Sequence, residues 1–224
     1  MAISNVVGLK ASLVLLDLRL LTSADEFTAF RTNLDREVVK QGAPAIVIGP
    51  VGLPQAPDPA DSFELRLEQE RIAIKVSPRG TEIEQEYPRE GLDELSAIAT
   101  ACIQNSSLAD SGPSAFGYNL DIRCAQDSGV EAGRYLAERL LRAGLVSWGN
   151  TEGVSFTIAV KEEDALWTFT LEPRLREEGT HALFAKTNYH FDRQRIPSPE
   201  DIENALTTLW QRTVKLIEDL DGNA

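Results

Sequence analysis

One order of elements occurs twice in this chain, and that recurrence limits what it can fold into. Leu16-Asp17-Leu18-Arg19 returns as Leu120-Asp121-Ile122-Arg123. Each stretch lies in an alternating run. Over 11–21, Val14, Leu16, Leu18 and Leu20 share one face, with Asp17 and Arg19 on the other. Over 116–124, Phe116, Tyr118, Leu120, Ile122 and Cys124 alternate with Asp121 and Arg123. A period of two is that of a strand with one buried face. Each run then gives way to helical spacing. Ser23-Ala24-Asp25-Glu26 reads as a capping box opening a helix with Phe27, Phe30, Leu34 and Val38 on one stripe, stopped at Gly42. From Ser128 a second helix carries Val130, Gly133, Leu136, Ala137, Leu140 and Leu141, stopped at Gly144.

The following segments repeat the correspondence. Residues 45–51 form a short apolar run, either a brief buried strand or a covered loop. Residues 53–61 contain three prolines and form a loop. Phe63, Leu65 and Leu67, then Ile72, Ile74 and Val76, alternate with polar residues around the turn Ser77-Pro78-Arg79-Gly80. Thr81–Tyr87 is a more polar strand. Its row Glu82, Glu84, Glu86 suggests an exposed edge that resists pairing. Leu92, Leu95, Ile98, Ala99, Cys102 and Ile103 make a helical stripe. In the second half, Phe156, Ile158 and Val160 pair through the tip Glu162-Glu163-Asp164 with Trp167, Phe169 and Leu171. A strand over 180–191 and a helix opened by Ser198-Pro199-Glu200-Asp201 complete it.

Ser62-Phe63 recurs as Ser155-Phe156, and Pro78-Arg79 as Pro173-Arg174, in the same element order. The expected fold is α+β: a tandem pseudo-repeat of strand, helix, two or three antiparallel strands, and helix, with a mainly antiparallel sheet and helices on one face. Residues 1–224 form a single domain, with a first repeat over 1–105, a joint over 106–114 and a second repeat over 115–224. The element order is similar to that of the TATA-binding-protein-like fold, the GyrI-like ligand-binding domains and the sliding-clamp domains. None of their motifs is present, so the resemblance implies an architecture and no activity.

The net charge of −13 disfavours nucleic acid, because an acidic surface repels phosphate backbones. Solubility alone accounts for the acidity. No apolar run is long enough to span a bilayer, and the N-terminal stretch lacks the basic flank and cleavage site of a signal peptide. With two cysteines, this points to the cytoplasm and to no membrane partner.

The chain contains no GxGxxG and no GxxxxGK[ST]. Gly49-Pro50-Val51-Gly52 lacks a lysine, and its proline removes a backbone donor. His181 and His190 are an odd number apart on one strand and face opposite sides, so they do not share a metal. Cys102 and Cys124 fall on apolar faces as small hydrophobes. Asn105-Ser106-Ser107 matches a glycosylation acceptor, which a cytoplasmic protein does not use. The acidic tip at 162–164 reads as a solvated turn. Trp148, Trp167, Trp210, Tyr118, Tyr135 and Tyr189 read as core, with Trp210 at a stripe's border. Arg31, Arg36 and Lys40, and Arg134, Arg139 and Arg142, mark the least acidic helix faces.

The polar feature present twice is the Asp–Arg pair. If a twofold axis sets the two strands side by side, Asp17 meets Arg123 and Arg19 meets Asp121, giving a charge seam between the repeats. No catalytic, cofactor or metal residue is assigned. The expected function is non-enzymatic binding of another protein, of the inhibitor, immunity or assembly-factor type, or of a second copy as a homodimer. The alternative is a small-molecule module with a cleft at the pseudo-twofold axis, and after it a carboxylate- or metal-dependent enzyme.

Overall fold

The structure, a computed structural model, describes residues 6–23, 45–48, 62–67, 71–88, 92–106, 112–125, 154–175 and 181–222, with residues 25, 26, 28–30, 32, 133, 136 and 137. It is an α+β fold. The strands are β1 (Val6–Leu16), β2 (Ala45–Ile48), β3 (Phe63–Leu67), β4 (Ile72–Ser77), β5 (Gly80–Glu86), β6 (Ala115–Ala125), β7 (Phe156–Glu162), β8 (Ala165–Leu175) and β9 (His181–Phe191). They form one sheet in the order β2-β3-β4-β5-β1-β6-β9-β8-β7. Every pairing is antiparallel. Two helices are fully bounded, α1 (Asp93–Gln104) and α2 (Pro199–Gly222). Gly42, Gly144, Tyr135, Trp148, the loop at 53–61, and Arg31, Arg36, Lys40, Arg134, Arg139 and Arg142 lie outside the described residues.

Local chemistry accounts for the element ends. Ser23 Oγ accepts the Glu26 amide at 3.1 Å, and Glu26 reaches back to the Thr22 amide at 2.8 Å, so the capping box forms at the start of the helical residues from 25. Ser198 and Asp201 cap α2 reciprocally, each side chain accepting the other's amide at 3.0–3.1 Å. The buried stripes also follow the expected spacing. Leu95, Ile98, Ala99 and Cys102 are buried on α1, and Ile202, Leu206, Leu209 and Thr213 on α2. α1 contacts β5 and β1, while α2 contacts β6, β9 and α1. Both stripes join a single apolar core with the inward side chains of the sheet, with Phe30 and with Leu136.

Two strand assignments differ from the expectation. β1 begins at Val6 and stops at Leu16. Its buried face is Ala11, Leu13 and Leu15, while Leu16 is 41% exposed. Reading the strand through Leu20 therefore inverted the faces, since a one-residue shift moves every side chain to the other side. The strand ends because Asp17 turns into the left-handed region at φ 59. Its amide donates to the Arg79 carbonyl at 2.9 Å, and its carboxylate accepts the Ser114 hydroxyl at 2.6 Å. Beyond the turn, Leu18, Leu20 and Leu21 are again buried, held by Thr81. The Thr81 hydroxyl accepts the Leu20 amide and donates to the Leu18 carbonyl, both at 2.9 Å.

The second difference is β5. It is not an edge but lies between β4 and β1, near the middle of the sheet. It leaves the β4 turn through Gly80, whose φ of 134 suits glycine alone. A Cβ there would stand 2.1 Å from the Leu15 carbonyl oxygen. Inward, Thr81, Ile83 and Gln85 are buried, and the three glutamates occupy the opposite face.

Candidate functional site

The four seam residues are not brought together. Asp17 and Arg19 lie beyond the end of β1, where Leu16 faces Ala115. Arg123 faces Gly8 at the other end of the β1–β6 pair. At about 3.4 Å per residue, eight residues of β6 separate those ends by roughly 27 Å. The pairing of Asp17 with Arg123 therefore does not form, because the strand that was to carry Asp17 had already turned. Asp121 remains on the seam, opposite Lys10 on β1 and Lys186 on β9. Asp121 and Arg123 project from the face opposite the core, and Arg123 lies over the Phe184 ring at 5.7 Å.

That outward face carries an ordered polar lattice. Asn188 Nδ2 on β9 donates to Asn119 Oδ1 on β6 at 2.8 Å, and Asn119 Nδ2 donates to Ser12 Oγ on β1 at 3.2 Å. Beside this chain, Glu84 on β5 sits between Lys75 on β4, at 2.5 Å, and Lys10 on β1. Glu84 is 7% exposed, whereas the lysine side chains are 38% and 41% exposed. Burial alone would push the Glu84 carboxyl up. The hydrogen bonds and charges of Lys10 and Lys75 outweigh it and hold the group below its ordinary value. Lys10 shifts up for the reciprocal reason: Glu84, with Glu82 and Asp121, outweighs the desolvation that lowers it. Arg66 and Glu64 extend the pattern onto β3 at 2.6 Å.

The two halves of the sheet meet in continuous pairing from Gly8 to Leu16. The expected cleft at the axis thus reduces to a shallow cavity of about 130 Å³ at one end of the seam, lined by Lys10, Glu86, Tyr87, Asp121 and Arg123 among others. A second, of about 140 Å³, lies between Arg66, Arg71, Glu84 and Glu86. Among the described residues no three His, Cys, Asp or Glu side chains converge as a metal site would need. No described helix is long and apolar enough to cross a membrane.

The tip at 162–164 is more engaged than a solvated turn. Glu162 accepts the Tyr189 hydroxyl at 3.0 Å and Arg212 of α2 at 2.5 Å, and Asp164 pairs with Arg193. Arg212 comes first in holding the Glu162 carboxyl below its ordinary value. These partners stand far away in sequence, so no local signal announces them. Cys102 and Cys124 are buried, and burial pushes the Cys124 thiol up to about 11. His190 meets Asp192 at 2.9 Å.

No family model and no curated protein matches the sequence. Among solved structures, the chain aligns with the S. pombe Pct1 RNA triphosphatase in complex with the Spt5 CTD. The alignment covers 97% of this chain and 83% of that one, at 8% identity and a TM-score of 0.16, too low to indicate a common fold.

Proposed function

We propose that this chain is a non-catalytic, cytoplasmic protein that docks another protein on the outward face of its sheet, in an inhibitor, immunity or assembly role. The observation that carries the reading is the lattice Lys75–Glu84–Lys10 with Ser12–Asn119–Asn188. Side chains already held by one another lose little rotamer freedom when a partner arrives. Alternating signs of charge across neighbouring strands favour one register of docking over others. A second copy of the chain is the other partner that such a face admits.

We also read the halves as copies of one unit with helices on one face of the sheet. Phe63 pairs with Val76, and Phe156 pairs with Leu171. The step from Phe63 to Phe156 is that of the Ser-Phe match, and the step from Val76 to Leu171 is that of the Pro-Arg match. The two hairpins therefore share one register under the alignment that the sequence motifs define. This supports the duplication independently of the Asp17 and Asp121 match, which does not fit the same pairing.

The test is affinity capture with charge reversals that spare the lattice. Arg123→Glu and Lys186→Glu alter exposed positions of the outward face, and Lys215→Glu alters exposed α2. A protein retained by wild type and Lys215→Glu but lost with both face variants is the expected result. Equal retention by all three excludes docking on this face. A second copy as partner would show instead as a dimer that the face variants dissociate.

A further inference from the structure

Strand β7 ends the sheet on one side, and among the described residues no strand pairs with its outer edge. Its register with β8 runs unbroken from Phe156–Leu171 to Glu162–Ala165, around the two-residue tip Glu163-Asp164. A two-residue turn closes on a hydrogen-bonded pair, and such pairs alternate along an antiparallel ladder. Phe156, Ile158 and Val160 therefore turn their N–H and C=O groups to β8, while Thr157, Ala159 and Lys161 turn theirs away from it. The Thr157 and Thr170 hydroxyls, 3.2 Å apart, fit the closer side chains of a non-hydrogen-bonded pair.

Native edges are blocked by charge, proline or a bulge. From Val154 to Val160 this edge has none of these. The apolar layer is also incomplete here. On β8, Trp167, Phe169 and Leu171 are buried. Their neighbours on β7, Val160, Ile158 and Phe156, share the core side yet stay partly open, Val160 at 38% exposed. One added strand would satisfy the outward backbone groups and cover this row together. The β7 sequence suits a second copy of itself. A twofold axis at Ile158 pairs outward-turned residues with one another, Thr157 with the copy's Ala159 and Ala159 with its Thr157. It also sets Phe156 against Val160 and Ile158 against Ile158, so the two apolar rows become one. Lys161 then meets Ser155, and Glu162 is already held by Arg212 and Tyr189. No like charges face each other, and on a chain of net charge −13 this neutral strand meets its copy with little local repulsion.

From this geometry we infer that β7 is a dimerisation edge, joining two copies of this chain by antiparallel β7–β7 pairing about a twofold axis at Ile158, so that their sheets run on as one. The inference is independent of docking on the outward face. A single strand edge buries little area, so the dimer is weak, with a Kd on the order of 10–100 μM.

Sedimentation equilibrium of the full chain should show reversible monomer–dimer exchange, tighter in about 0.3 M salt than in about 0.02 M because screening relieves the overall acidic repulsion. Ala159→Pro removes an outward N–H at a position where an edge strand tolerates proline. It should weaken the dimer about ten- to a hundredfold, the factor that two net hydrogen bonds across the axis supply. Val160→Gln, on the open apolar row, should also weaken it, and serves should Ala159→Pro fail to fold. Ile158→Cys should form a disulfide with its own copy under mild oxidation, since facing residues of a non-hydrogen-bonded pair stand within disulfide reach. Thr157→Cys, out of register with its copy, should not; Cys102 and Cys124 are buried. Arg123→Glu and Lys186→Glu should leave the dimer intact, which separates this edge from the outward face. A wild-type chain that stays monomeric to about 500 μM overturns the inference, whether or not the edge captures a different protein. So does a dimer that salt weakens, that both edge variants leave unchanged or that the face variants dissociate, and so does a cross-link from Thr157→Cys without one from Ile158→Cys.

Discussion

Glu84→Gln isolates the charge at the centre of the outward lattice, because it changes one carboxylate to an amide of the same shape. Glu84 faces Ala73 on β4 and Ser12 on β1, with Lys75 and Lys10 reaching it from either side. An exposed ion pair contributes about 0–1 kcal/mol. Removing one partner of a fully buried pair costs about 3–5 kcal/mol. Here the acid is 7% exposed and the lysines about two-fifths exposed, so the ammonium groups regain part of their hydration. The expected loss lies between the limits, at about 2 kcal/mol near pH 7. For a chain of this size that is roughly 4–8 °C in Tm. The folded carboxyl titrates below its ordinary 4.5. The wild-type advantage is therefore present above 4.5 and is lost as pH falls through the depressed folded value. Urea unfolding of both proteins, at pH 7 and stepwise into acid, measures the gap. Equal stability at pH 7, or a gap that stays constant into acid, would refute the reasoning.

Gly80→Ala should cost about 3 kcal/mol or prevent folding, because an L side chain is strained at that φ and meets the Leu15 carbonyl; thermal unfolding measures it. Thr81→Val keeps the shape but orphans the Leu20 amide and the Leu18 carbonyl, a loss of about 2–4 kcal/mol by urea titration. A loss under 1 kcal/mol would show that these groups find other partners. In native buffer at pH 8 neither Cys102 nor Cys124 should react with an aromatic disulfide reagent, since burial raises both thiols; both should react on unfolding. Fast native labelling of either would contradict their burial.

What could be read from sequence was what local residues determine. The capping box at Ser23, the helix start at Ser198, the Ser77–Gly80 turn and the stripes of α1 and α2 rest on neighbours within a turn or two, and their chemistry is visible there. The β7 to β9 strands alternate cleanly and were placed correctly. The end of β1 was not legible, because Val14–Leu21 keeps alternating through Asp17. The turn is imposed by Arg79 and Ser114, which lie far along the chain. The position of β5 was misjudged because three glutamates in a row suggest an exposed edge. The two lysines that make an interior place tolerable for Glu84 belong to β4 and β1. The same reason hid the aromatic cluster of Phe116, Tyr118, Tyr189 and Phe191, whose rings come from two strands and meet only through the β6–β9 register.

Docking of a partner on the outward face is tested most directly by a photo-crosslinking side chain placed at Lys186 on β9 and Thr168 on β8, both on that face, and at Lys215 on α2 as the control. Irradiation in cells should join one and the same protein to the two sheet positions and not to Lys215. Adducts formed from Lys215 alone, or none from either sheet position, would contradict the assignment.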